Sequence, residues 1–382
     1  MLTSLTAFAS ACDQTAWPLW TQYSQQFIQA DGRVLNSSLK AQHSTSEGQS
    51  YAMFFALVAN DQPLFDKLWR WTISNMASGQ IDKHLPGWLW GQGDDHKWAI
   101  QDANSATDAD LWFAYVLLEA ARLWHRPDYQ SDAEHLLANI ASHQTVTLPG
   151  FGRMLLPGPE GFIMSDHLWR LNPSYLPIPV LRRLTKEAPA GPWKEITENT
   201  ARLLHEVSHN GFIADWVGYR GTAAKKGLFV TDPVAGPLGS YDAIRVYLWA
   251  GMTAKTDPLA APILASLNGM AMATASTGVP PEKVQVSNGS TQGVGPFGFS
   301  AALIPYFQAK GQPWLAELQQ HRVEQSLEQA QDPLNKQTAQ LRYYDYMLSL
   351  FALGWTENRY QFLDDGTLQL PWENACSPAS TH

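Results

Sequence analysis

The chain has 382 residues, enough for a large core in one domain or two. A net charge of −9 argues against a nucleic-acid or anionic-membrane surface, and no apolar run approaches the ~20 residues that span a bilayer. Sixteen Trp point to a well-filled aromatic core or to rings that stack on flat apolar sugar faces, and 24 Pro with 27 Gly in a weakly charged chain suggest long ordered loops.

Residues 1–11 read as a truncated signal peptide, or as the result of a start codon placed too late. A mildly apolar run ends in the small-x-small sequence Ala9-Ser10-Ala11, although no Lys or Arg precedes it. The expectation is a periplasmic or secreted protein. Residues 12–382 form one domain, since no composition break or Ser/Gly-rich linker divides them. A lipoprotein acylated at Cys12 is the weaker reading, because Ala9 stands where Leu is preferred. In an exported chain the two cysteines, Cys12 and Cys376, permit one disulfide; two free thiols are the alternative.

The pattern that follows is helical almost throughout. Apolar spacing predicts helices over about 16–30, 46–59, 62–77, 107–124, 128–143, 173–187, 191–208, 240–253, 257–275, 298–309, 313–331 and 339–354. Strand-like runs at 145–148 and 284–286 are short, and the alternation between Arg359 and Trp372 predicts a small terminal hairpin. Odd-numbered helices are amphipathic and charged, with one face to bury; even-numbered ones are apolar around most of their circumference. An outer and an inner ring made by six hairpins, an all-α (α/α)6 toroid, would produce that alternation. A large irregular bundle or solenoid is the alternative.

If the even helices form an inner ring they run parallel, and their N-termini share one rim. The distinctive polar motifs lie at those starts: Ser46-Glu47-Gly48, Asn104–Asp110, Asn172-Pro173-Ser174-Tyr175 and Ser240–Arg245. Ser44 and Ser46 are candidate caps, with Glu47 and Gln49 three positions after each, so Glu47 is either a capping-box side chain or an acid presented to a cleft. Acids at helix N-termini are favoured by the dipole, so each alone is explicable as structure, but three on one rim make a carboxylate-lined cleft. Asp108 and Asp110 point to different faces, one to cap and one to line the cleft. Asp242 and Arg245, three apart, are a structural ion pair or a base kept ionised by a neighbouring cation. Trp88 and Trp90, in the Pro/Gly-flanked loop Leu85–Gly91, read as a ligand platform rather than core; Trp169 and Trp216 are weaker candidates.

Other chemistries find no support. The eleven His show no metal-ligand spacing, and there is neither a GxSxG elbow nor a phosphate-binding P-loop, so no metal and no cofactor are expected. Gly293–Gly298 matches GxGxxG, but without a βαβ unit around it the match does not make a dinucleotide site.

At these motifs the sequence resembles a known family. Ala106-Thr107-Asp108-Ala109-Asp110, continuing through Ala114 and Leu117–Ala120 to Trp124, is similar to the signature of glycoside hydrolase family 8. The motifs Thr45–Tyr51, Asn172–Tyr175 and Ser240–Arg245 match in the same order, and the resemblance runs from about Trp17 to Trp372. Phe113 and Val116 depart from the residues the family favours and read as packing positions. The resemblance implies an (α/α)6 toroid and an inverting endo-1,4-β-glucanase of bacterial cellulose biosynthesis, with β-1,4-glucan as substrate and the cellulose synthase complex as a partner. It implies Glu47 as general acid, Asp242 as general base, Asp108 as the group that holds the distorted sugar, and Tyr175 and Arg245 as orienting groups. The residues agree: glycoside hydrolysis needs one protonated and one ionised carboxyl and no cofactor. A non-catalytic glucan-binding scaffold, a family-8 hydrolase of xylan, chitosan or mixed-linkage glucan, and a toroid that has lost activity are the competing readings.

Overall fold

The computed structural model describes residues 16–36, 43–164, 167–222, 226–331 and 342–373. Both cysteines, and the signal-like residues 1–11, lie outside them. The helices are α1 (Pro18–Phe27), α2 (Ser46–Val58), α3 (Gln62–Met76), α4 (Thr107–Trp124), α5 (Pro127–His143), α6 (Ile178–Glu187), α7 (Trp193–Val207), α8 (Ala243–Met252), α9 (Ala260–Ser266), α10 (Asn268–Thr277), α11 (Phe297–Ala309), α12 (Pro313–Gln331) and α13 (Tyr343–Thr356).

Burial sorts them into two rings. Every residue of α2 except Glu47 is buried, and so is all of α8. In α3, by contrast, Phe65, Leu68, Trp69, Thr72 and Met76 form a single inward stripe. The inner ring runs α2, α4, α6, α8, α11, α13 and closes where Phe351 of α13 packs on Phe54 and Phe55 of α2. Its centre is aromatic: Trp112, Trp249 and Phe351 meet pairwise at 5.3–5.5 Å between ring centroids, with Tyr51 and Phe54 against them. The alternation of apolar and amphipathic helices thus gives the (α/α)6 toroid.

Boundaries shift where local chemistry intervenes. The helix expected over 257–275 divides at Leu267, whose amide bonds Leu264 O in a tighter turn and whose carbonyl accepts from Tyr306 Oη at 2.6 Å. The helix expected over 173–187 opens as a 3-10 turn, Pro173–Tyr175, and restarts at Ile178, because Pro177 bars the α conformation from the residue before it. Gly251 lets the backbone of α8 touch that of α11; a Cβ there would meet the Tyr306 nitrogen at 2.3 Å.

The two ends of the ring differ. At the C-terminal ends of α2 and α4 the hairpin 361–362/368–369 forms a plug. Tyr115 Oη donates to Gly366 O, Trp372 Nε1 donates to Val58 O, and fully buried Glu119 accepts from Arg183, from Arg122 and from the Leu368 amide. At the other end lie the N-termini of the inner helices, framed by small antiparallel sheets. One contains Ser44–Thr45, Gly87–Gln92 and Trp98–Ser105; another Ile163–Met164, Leu168–Leu171, Val217–Thr222 and Lys226–Thr231; a third Leu238–Gly239, Lys283–Gln285 and Ser290–Gln292. No helix among the described residues is long and apolar enough to cross a membrane.

Candidate active site

The acid at the start of α2 is placed by its neighbours on both sides. Ser44 and Thr45 pair with Trp90 and Leu89, so the chain enters the helix from a strand. Thr45, not Ser44 or Ser46, is the N-cap, and its Oγ1 accepts from Gly48 N at 3.2 Å. Glu47 therefore sits one position too early for a capping box, and its carboxylate turns to the cleft, where Oε1 accepts from Trp88 Nε1 at 3.0 Å. Gln49 is wholly buried and ties the turn at Gly32–Val34 to α3.

Across the rim, Asp242 is the N-cap of α8, yet its side chain makes no capping bond. It accepts instead from Arg245 Nη2 at 2.8 Å. The same nitrogen donates to Ser174 Oγ at 2.9 Å, and Nη1 donates to Tyr344 Oη at 3.2 Å. Ser174 is held by Asn172, whose Oδ1 accepts from both its amide and its hydroxyl, so the Asn-Pro-Ser-Tyr motif is a bracket for the guanidinium. Arg245 also lies 3.8 Å from Asp108 Oδ2 and 5.9 Å from the Tyr175 ring. One buried cation thus serves two carboxylates.

Asp108 and Asp110 do point apart, as a separation of two residues on a helix requires. Asp108 Oδ1 accepts from Ala109 N at 2.9 Å, while Oδ2 has no hydrogen-bond partner among the described residues. Asp110 faces away and accepts from Gln144 Nε2 at 2.7 Å. Burial pushes its carboxyl up to about 8.

Burial is the largest influence on the cleft acids. It raises the pKa of Glu47 against the opposing effects of backbone amides, Arg245 and the Trp88 N–H. It raises that of Asp108 well above the usual range, with the charge of Glu47 next. Arg245 keeps its proton: burial works against the charge, but Tyr344, Asp242, Tyr51 and Asp108 outweigh it. Tyr175 feels Asp108, Glu47 and Asp242 together, which places it among all three acids. A buried cluster of three carboxyls around one cation retains a proton on at least one of them, the requirement for acid–base chemistry.

The tryptophans are partly reassigned. Trp88 and Trp90 lie not in a loop but on the strand Gly87–Gln92, and only Trp88 touches an acid. Trp90 is the middle of a cluster, edge-on to Trp71 at 5.1 Å and stacked on Trp98 at 5.2 Å, with the Arg33 guanidinium 4.6 Å from both stacked rings. Trp98, half exposed, is the ring that this hairpin offers to solvent. Trp169 is 7% exposed and packs near Tyr219, so it is a core residue rather than a platform. Trp216, stacked on Phe162 and 6.3 Å from Tyr175, is the ring on that side of the cleft. Gly293–Gly298 leads into α11, and Gly298 is tight against Asp345, which is packing rather than phosphate binding.

Sequence reasoning missed three groups. Tyr344 was legible as part of the aromatic run that opens an inner helix. Ser174 was quoted only as part of its motif. Asp215 accepts from the amides of Ser240, Asp242 and Ala243 at 2.7, 3.1 and 2.7 Å, and nothing in its local sequence announces that role.

A toroid of paired helices whose inner N-termini carry one desolvated carboxyl, one arginine-paired carboxylate and a set of aromatic rings has the constitution of a glycoside hydrolase. The chain belongs to glycosyl hydrolases family 8, whose family model matches residues 1–358, and is an endoglucanase within it. It is 54% identical over 378 residues to an endoglucanase of Pseudomonas fluorescens (strain SBW25), covering 97% of this chain and 94% of that one. It is 46% identical over 375 residues to an endoglucanase of Xanthomonas axonopodis pv. citri (strain 306), covering 98% and 94%. The crystal structure of an endo-1,4-D-glucanase from Vibrio fischeri ES114 superposes with a TM-score of 0.85 at 39% identity, over 94% of this chain and 99% of that one.

Proposed function

We propose that the protein cleaves internal β-1,4 bonds of glucan chains with inversion, Glu47 acting as general acid and Asp242 as general base. The observation that carries this reading is the contrast between two carboxyls on one rim. Glu47 is raised by burial and so suited to hold a proton, whereas Asp242 is bonded to the Arg245 guanidinium. Glu47 gives its proton to the leaving glycosidic oxygen as the C1–O bond breaks. Asp242 takes a proton from the water that attacks C1 on the opposite face, and the anomeric configuration inverts. Arg245 and Tyr175 orient the base and the water. Asp108 offers its unpartnered oxygen to a hydroxyl of the sugar at the cleavage point. Trp88, Trp98 and Trp216 line the approach as rings on which sugar faces rest.

The test is release of reducing ends from carboxymethylcellulose, xylan, chitosan and mixed-linkage glucan, with product sizing. Rapid chain shortening on the cellulose derivative, lost in Glu47→Gln and in Asp242→Asn, is the expected result. Binding without release of ends would make the protein a scaffold, and preference for another polymer would move it within the family. The signal-like residues 1–11 support export to the periplasm or beyond, where the enzyme trims glucan beside the cellulose synthase complex. A native N-terminus at Cys12 supports that location, and an intact Met1 in the native protein overturns it.

A further inference from the structure

The carboxylate of Asp242 faces the cleft from a helix start whose backbone is held by another acid. The side chain of an N-cap aspartate ordinarily accepts from the amides of the first helical turn. In α8 the amides of Ile244 and Arg245, which such a side chain would take, bond the carbonyls of Ser240 and Asp242, and the amides of Asp242 and Ala243 are claimed by Asp215, which lies 27 residues upstream of Asp242, between the turn at His209–Gly211 and the strand Val217–Thr222. Its single oxygen Oδ1 takes the amides of Ser240, Asp242 and Ala243, and its own amide donates to Leu238 O at 2.8 Å. The segment 238–243 is thereby held from both sides, and the Asp242 side chain is left to bond Arg245.

We propose that Asp215 is a positioning residue for the base: it fixes the start of α8 from outside the helix, and so leaves the Asp242 carboxylate to Arg245 and the cleft. This inference rests on the reading of Asp242 as base. The charged and titratable groups around Asp215 are Asp242 and Arg245 at the same helix end, Tyr247 one turn further along α8, and Tyr344 from α13. Burial, and next the charge of Asp242, pushes the Asp215 carboxyl up to about 6, so the two acids sense one another.

Two variants separate the roles. Asp215→Asn keeps an acceptor oxygen for the three amides and removes the charge. The expected result is an unchanged melting temperature and KM, with kcat restored well above that of Asp215→Ala. Asp215→Ala removes cap and charge together; kcat falls by about tenfold or more, the order of one lost charge-assisted hydrogen bond, while binding of cello-oligosaccharide by calorimetry is retained. An Asp215→Asn enzyme as impaired as Asp215→Ala overturns the inference, as does an Asp215→Ala enzyme that loses melting temperature but keeps full kcat. Asp242→Asn is run alongside. If it retains turnover, the assignment of the base fails; if it is inactive and the Asp215 variants behave as wild type, only the present inference fails.

Discussion

Trp88→Phe separates the two things a tryptophan can do beside an acid. Phenylalanine keeps a ring in place for a sugar face but lacks the N–H that reaches Glu47 Oε1 at 3.0 Å. At the start of the reaction Glu47 is protonated and the bond has a neutral acceptor, worth ~0.5–1.5 kcal/mol; once the proton has left, the acceptor is a carboxylate and the bond is worth ~1.5–3 kcal/mol. Only the difference, about 1–1.5 kcal/mol, lowers the barrier, because catalysis draws on what is stronger in the transition state. At 1.36 kcal/mol per factor of ten, kcat should fall by about tenfold with KM nearly unchanged. The same N–H holds the pKa of Glu47 down against burial, so its loss raises that pKa further. Because the acid works from its protonated form, the basic limb of kcat/KM should move to higher pH. Steady-state kinetics on a soluble cello-oligosaccharide across pH read both effects. A raised KM with kcat intact and the basic limb unmoved would refute the reasoning and leave Trp88 as a platform alone.

Proton NMR of the first product from a β-linked cello-oligosaccharide should show the α-anomer; an initial β-anomer means retention and removes Asp242 from the role of base. Asp108→Asn should raise KM along with lowering kcat, since it loses a contact to the bound sugar, whereas Asp242→Asn should bind normally and not turn over; equal binding by both variants would contradict the division of labour. Asp110 has a carboxyl near 8 in the fold and near ~3.9 unfolded, so it costs stability progressively from about pH 4 to pH 8 and by a constant amount above. Melting temperature should therefore fall less over that interval in Asp110→Asn, and parallel curves would exclude the mechanism. Glu119→Ala leaves Arg183 and the Leu368 amide without their buried partner. It should destabilise by about 3–5 kcal/mol in denaturant titration without changing kcat, because the plug lies at the far end of the ring from the cleft.

Much of this was readable in the chain because helix burial writes itself into composition. An inner helix is covered on all sides and tolerates few charges, so Ala52–Val58 and Val246–Met252 stand out from the single stripe of α3. The acids at the inner N-termini were readable for a related reason: a carboxylate opening an otherwise apolar helix has few structural purposes. The sheets were not. Strand Gly87–Gln92 is short, carries two tryptophans on a Pro-flanked segment, and gains its identity only by pairing with Ser44–Thr45 and Trp98–Ser105. Trp169 failed as a platform because burial of a strand residue depends on which sheet face it takes, and neighbouring Pro and Gly carry no information about that. Asp215 was invisible for the deepest reason: its three partners are backbone amides, which leave no mark on the sequence that supplies them.

The two acids both open inner helices, where the macrodipole favours the ionised state of each. Their opposed roles must therefore arise from what surrounds them. Glu47 is the second residue of its helix, beyond a threonine that already serves as the cap, and its long side chain reaches the cleft to accept from the Trp88 indole N–H. Asp242 is the cap position itself, but its amide and that of Ala243 are held by Asp215, and its own carboxylate is given to an arginine. Desolvation outweighs a cation that is only nearby and favours the proton, whereas a hydrogen-bonded cation favours the charge. A ring of parallel helices with a common rim can keep these environments distinct a short way apart, since each N-terminus is furnished by a different preceding segment: the strand pair at 44–45 and 89–90 for the acid, the turn around 215 for the base.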